Sequence, residues 1–242
     1  MIVAVGAVLP TALRVHAPLA ALPSALAGVV VGPDLVPWLK RRKDARLLPR
    51  AAELALPAAG QALFGFDGDL EELGLFVAVG REPPDEGDAE ASIAAMAKDG
   101  RLDRARFGDQ GRALYPPLLP LRTLPNMVLA HVAIQSGIRG ENVCLAGGFE
   151  AGVGVWDAAN DALASGRCVA ALVGAAFSAV DRASARDRHR LGQTEPPGEG
   201  AIFVLLVGPA VRPEADLRVW RQRVGALGPV EALLGAVGVT PR

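Results

Sequence analysis

Short apolar runs alternate along the chain with longer segments rich in alanine and leucine. Ile2 to Val5, Leu75 to Val79, Val143 to Leu145, Val169 to Val173 and Ile202 to Val207 are apolar throughout and too short for helices, so they read as strands buried on both faces. Ala51 to Leu63, Pro125 to Ser136 and Gly152 to Ala164 have the length and composition of helices, and Gly166 stands where a C-terminal cap belongs. Strands and helices in alternation predict an α/β fold built on one five-stranded sheet. Polar stretches bearing proline or glycine, Arg81 to Gly87 and Asp181 to Gly200, read as surface loops, and Val211 to Asp216 as a linker to a short C-terminal helical piece.

The chain of 242 residues is 51% hydrophobic and 21% charged, too apolar for disorder and long enough for a sizeable core. Its 25 basic and 26 acidic residues leave a net charge of -1, which gives no electrostatic footprint for nucleic acid or an anionic membrane. Two cysteines, Cys144 and Cys168, make neither a disulfide framework nor a zinc cluster and fit a reducing, cytoplasmic setting. The uncharged stretch from His16 to Pro33 is interrupted by Pro18 and Pro23 and follows no basic segment, so it reads as buried core rather than as a leader or membrane span. His16, His131 and His189 are too scattered to predict a metal site, and no cofactor is expected.

Gly147, Gly148, Gly152 and Gly154 follow a strand and open a helix, as in a phosphate cradle, but Asp157 stands where the dinucleotide fingerprint needs its third glycine. No nucleophile elbow of the GxSxG type and no P-loop is present. The acidic groups Asp67, Asp69, Glu71, Glu72 and Asp85, Glu86, Asp88, Glu90 lack calcium-ligand spacing and read as solvated loops.

A specific resemblance begins at Pro120. Leu124-Pro125-Asn126-Met127, then His131 to Ile134, Gly137-Ile138-Arg139-Gly140-Glu141-Asn142-Val143, and Gly152 through Gly166 to Gly174 resemble the core of the β-ketoacyl synthases of the thiolase superfamily. Gly198-Glu199-Gly200-Ala201 is similar to the segment that closes the N-terminal half of that family. Arg41-Arg42 and the alanine-rich helix after Pro49 look like the start of its short relatives, the chain length factors. The resemblance implies half of a thiolase-like fold, with a five-stranded mixed sheet and helices on both faces. Residues 1–210 would form this N-terminal-half domain and 211–242 a short C-terminal helical extension.

The departures from the family bear directly on chemistry. A condensing enzyme needs a cysteine at the strand-to-helix elbow, where the helix N-terminus lowers its pKa, and residue-by-residue correspondence puts Phe149 there. Cys144 falls inside the preceding strand and Cys168 at the start of the next, where both read as core thiols. The family's two catalytic histidines lie in a C-terminal half for which the about thirty-five residues after Val207 are too few; Gly225 to Glu231 only resembles that half's last helix. His131 reads as a core or interface residue.

An N-terminal half alone would leave an apolar helical face in water, which predicts a partner. The resemblance thus implies a non-catalytic, chain length factor-like subunit. It would pair with a full-length ketosynthase in polyketide, aryl-polyene or fatty-acid-like biosynthesis, and would meet acyl carrier protein through the complex. Leu118, Leu119, Leu124, Met127, Val143 and Phe149 would face the tunnel or the partner, the leucines being otherwise simple core. Phe149, the strand from Asn142 to Leu145 and the helix after Pro125 are expected to be buried, either at a partner interface or in the core beside it, and the resemblance implies that pairing along this strand would extend one sheet across both subunits. The alternatives are a decarboxylase or acyltransferase of the superfamily working without the elbow thiol, and a homodimeric acyl-binding scaffold.

Overall fold

The computed structural model describes residues 1–9, 12–13, 29–80, 86–180, 184, 189–190, 192, 198–209 and 229–237. His16, Pro18, Pro23, most of the two expected loops, the Val211 to Asp216 linker and Gly225 to Gly228 lie outside them. In chain order the strands are β1 (Ile2–Leu9), β2 (Ala12–Leu13), β3 (Gly74–Val79), β4 (Ala97–Lys98), β5 (Arg101–Leu102), β6 (Asn142–Ala146), β7 (Ala170–Ser178) and β8 (Glu199–Val207). The longer helices are α1 (Arg50–Ala62), α2 (Glu86–Met96), α3 (Met127–Ser136), α4 (Phe149–Ala164) and α5 (Pro229–Ala236).

The main sheet runs β2-β1-β8-β7-β3-β6. Its five long strands are those expected from the sequence, and β2 adds two residues at one edge. β7, β3 and β6 are parallel and β8 is antiparallel to both β1 and β7, so the sheet is mixed. β7 continues beyond the expected Val173 because Gly174 lies opposite Phe203 of β8, whose ring fills the space a Cβ would need.

Alternate residues of the strands point to opposite helix layers. Val8, Leu75, Val77, Leu172 and Phe203 pack under α1 and α3, whereas Ala7, Phe76, Val173 and Val204 pack under α4 and α5. Each large apolar side chain withdrawn from water here contributes about 1.5–3 kcal/mol. α4 begins at Phe149, three residues before its expected start, and ends as expected. Gly166 takes a φ of 71°, and the Arg167 N–H reaches back to the Ala162 carbonyl at 2.9 Å.

The apolar face of α4 is not left in water. α5 lies against it, and Val230, Leu233, Leu234 and Val237 join Val155, Trp156 and Ala159 in one cluster. Part of the cover expected from a partner is thus supplied by the chain itself.

At one end of the sheet, the start of β8 is fastened to α1 by a buried ion pair. Glu199 is fully buried and receives the Arg50 guanidinium at 2.6 and 3.0 Å, the Ser178 hydroxyl at 3.0 Å and the Val30 N–H at 2.8 Å. Arg50 also donates to the Val30 carbonyl at 2.6 Å and to Glu53 at 2.8 Å, so one cation ties three segments together. Glu86, Asp88 and Glu90, expected in a loop, lie instead in α2.

Candidate functional site

The strand-to-helix elbow is formed by β6, Gly147, Gly148 and the first turn of α4. Gly147 N–H donates to the Val79 carbonyl at 2.9 Å, which holds the turn against the neighbouring strand. Gly148 is the N-cap of α4 and makes no side-chain cap, while its carbonyl accepts the Ala151 N–H at 3.1 Å. Phe149 opens the helix and is only 5% exposed, packed with Val153 and with Ala232 of α5. One turn on, Gly152 is the reason α5 can come so close: a Cβ there would overlap the Pro229 carbonyl oxygen and approach the Ala232 Cβ to 2.6 Å. The elbow therefore holds an aromatic ring capped by a helix, with no nucleophile at its apex.

Neither thiol compensates. Cys144 lies on β6, half-buried, with its sulfur 3.9 Å from the Pro125 carbonyl, and burial pushes its pKa up to about 11. Cys168 is buried just before β7, and burial raises its pKa also. Both stay protonated at neutral pH and are poor nucleophiles. His131 is buried on α3, and its Nε2 is 3.0 Å from the Leu47 carbonyl. Burial lowers its pKa, with the Leu47 hydrogen bond and the nearby Asp44 acting in the opposite direction. The sheet separates α3 from α4, so this imidazole serves the opposite face from the elbow.

The six residues assigned to a tunnel or partner surface differ in exposure. Leu119 is buried, whereas Leu118 and Leu124 stand 53% and 47% exposed and Met127 is half-buried. Val143 and Leu145 are half-buried and lean towards the α4 layer, with Cys144 towards the α1 layer. Among the described residues this strand is the outermost of the sheet, with one edge unpaired, and its side chains are half-buried or exposed. In the helix after Pro125, Val128, His131 and Val132 are buried but Ile134 is 56% exposed. Among Asp67, Asp69, Glu71 and Glu72, Asp69 accepts the Glu71 N–H and Glu71 pairs with Arg139, both exposed, as in a solvated loop. Among the described residues no group of His, Cys, Asp or Glu could hold a metal ion, and no helix is long and apolar enough to cross a membrane.

Ala232 is the site residue that sequence reasoning passed over, together with the packing of Gly152 against it. Their signal was present in the small-residue pattern of α4 and the apolar pattern of residues 229–237, but nothing local states that the two segments meet.

Solved structures share this architecture. The complex of acyl-carrier protein and ketosynthase from a type II polyketide synthase, AntDE:AntF, matches with a TM-score of 0.68 at 16% identity, over 86% of this chain and 61% of that one. The ishigamide ketosynthase/chain length factor matches at 0.54 and 22% identity, over 88% and 63%. The ketosynthase ApeO with its chain length factor ApeC from Xenorhabdus doucetiae matches at 0.57 and 13% identity, over 87% and 79%. The chain therefore spans little more than three fifths of the length of the first two, and at these identities the likeness shows the fold. A search of curated proteins finds no match. The sequence goes further than the fold: residues 41–203, which carry β3, α3, the elbow and most of β8, match the N-terminal domain of the β-ketoacyl synthases, and the chain belongs to that family.

Proposed function

We propose that the chain is a non-catalytic subunit of the chain length factor type, which pairs with an active ketosynthase in the cytoplasm and shapes the tunnel in which that enzyme's acyl chain grows. The observation that carries the reading is the buried Phe149 at the N-terminus of α4, where acyl transfer in this family requires a thiol. A phenyl ring can neither attack a thioester nor hold the acyl group, so the nucleophile would come from the partner. Two features support the pairing. Among the described residues β6 has an unpaired edge with half-buried apolar residues, onto which a partner strand can add. Leu118 and Leu124 stand exposed in the segment that leads to β6, where they could line a partner's acyl pocket. Acyl carrier protein would reach this subunit through the complex. The products would be polyketide, aryl-polyene or fatty-acid-like chains.

The test is co-expression with a full-length ketosynthase, followed by affinity copurification and assay. A one-to-one complex that condenses acyl and malonyl thioesters is expected, while the isolated chain and its Phe149→Cys variant remain inactive. Steady turnover by either isolated protein, or the absence of any complex, would overturn the reading.

A further inference from the structure

The turn that follows α1 walls a cleft at the end of the sheet remote from the elbow. The parallel strands β3, β6 and β7 run towards the elbow, whereas the cleft is bordered by Ala170 at the start of β7, by Leu205 and Val207 at the end of β8 and by Met1 to Val5. α1 ends at Ala62, and Phe64, Phe66, Asp67 and Asp69 form the opposite wall. The cleft measures about 900 Å³, within the range of small-molecule sites. Its wall is fixed at both ends, since Phe66 N–H donates to the Leu63 carbonyl at 2.9 Å and Arg139 N–H to the Leu70 carbonyl at 2.9 Å. Gly65 takes a φ of 80°, and Gly68 leaves room for the Phe66 ring, which a Cβ there would overlap. The wall is therefore built without a ligand.

The lining is apolar with an acidic margin. Val3 sits where the register between β1 and β8 shifts, and this bulge leaves it 51% exposed. Met1, Phe64 and Val169 are exposed as well. Four of the fifteen large apolar side chains exposed among the described residues thus gather on one concave surface, where singly scattered ones would need no explanation. No lysine or arginine lines the cleft. Its charged groups are the Asp67 and Asp69 carboxylates and the Met1 amino group, which donates to the Val207 carbonyl at 2.7 Å. Asp69 accepts the Glu71 N–H at 2.8 Å, and neither aspartate forms an ion pair among the described residues.

We infer that this cleft is a binding site for a small molecule that joins an apolar body to an ammonium group. Phe64 and Phe66 supply aromatic surface and Asp67 and Asp69 the opposite charge, the combination that holds an alkylammonium through its attraction to aromatic rings and through charge-assisted hydrogen bonds. Ala4, Leu205 and Val207 give the apolar body a floor on which to leave water. An anion would be repelled by both carboxylates, and a neutral molecule would gain the apolar contacts alone. Neither Phe149, β6, Leu118 nor Leu124 borders the cleft, so the site is independent of the pairing proposed above.

The experiment titrates the full chain with phenylbutylammonium, phenylbutanol and phenylbutyrate, which share one body and differ in charge, and follows the amide resonances by NMR. The ammonium should shift Ile2 to Val5, Phe64 to Asp69 and Val169 to Ala170, and should bind at least about tenfold more tightly than the alcohol, with the butyrate weakest. Added salt should weaken the ammonium and spare the alcohol. Asp67→Asn/Asp69→Asn keeps an acceptor for the Glu71 N–H, and both positions are exposed, so its melting temperature should hold. In this variant the ammonium should bind no better than the alcohol, whose own affinity is unchanged. Absence of ammonium binding, equal affinity for the three probes, shifts confined to other residues, or a variant that binds the ammonium like the wild type would each overturn the inference. Tighter binding of the butyrate would assign the cleft to an anion held by the Met1 amino group and overturn it equally.

Discussion

Replacing Arg50 by methionine tests how far the fold depends on the ion pair at the start of β8. Glu199 is fully buried, and the Arg50 guanidinium holds it through two of the four hydrogen bonds it receives. Without the guanidinium the carboxylate keeps the Val30 N–H and the Ser178 hydroxyl but no cation. An uncompensated buried charge costs about 3–5 kcal/mol, and the 30% exposure of the Arg50 side chain places the loss towards the lower end. At roughly 2–4 °C per kcal/mol for a chain of this size, the melting temperature should fall by about 10 °C. Arg50→Met/Glu199→Gln should recover much of that loss, because glutamine still accepts the Val30 N–H and carries no charge to be stranded. Urea unfolding of the wild type, both single variants and the double variant closes the cycle. A single variant within about 1 kcal/mol of the wild type, or a double variant no better than Arg50→Met, would refute this account.

Leu119→Ala removes a buried side chain and should destabilise by about 2–5 kcal/mol, whereas Leu118→Ala and Leu124→Ala remove exposed ones. The latter two should leave melting nearly unchanged and, in the reconstituted complex, lengthen the product read by mass spectrometry. Cys144 should resist iodoacetamide at neutral pH, and its labelling should rise only as pH approaches about 11, the value to which burial pushes it. Burial holds the His131 pKa below its ordinary value, so below about pH 6.5 the unfolded chain binds the proton first and stability falls as pH drops. His131→Gln, which keeps a donor for the Leu47 carbonyl, should lose this part of the acid sensitivity when melting is compared between about pH 7.5 and pH 5.

The five long strands, α1, α3 and α4 were legible because each carries a local signal. Runs such as Leu75 to Val79 and Ile202 to Val207 cannot be exposed on either face, and alanine-rich stretches of more than ten residues favour helices. The family was legible for a related reason: its motifs are contiguous, and the residue at the elbow could be named by counting along the chain. Phe149 declared the absence of a thiol in one dimension. The stretch from α2 to Leu114 escaped notice since its apolar residues follow no single period, the paired strands β4 and β5 and the π-helical turn Phe107–Gly111 breaking the repeat.

What covers what was decided only in three dimensions. That β6 lies at the edge of the sheet follows from a strand order that brings together residues far apart in sequence, and no local pattern encodes it. The same holds for α5, which meets α4 from some eighty residues away. Glycine at position 152 permits that contact by withholding a side chain, and an absent atom leaves no mark in a hydrophobic pattern. The sequence determined that this elbow has no nucleophile; the tertiary structure determined that the ring in its place is sealed by the chain's own helix, because only packing brings Ala232 to Phe149.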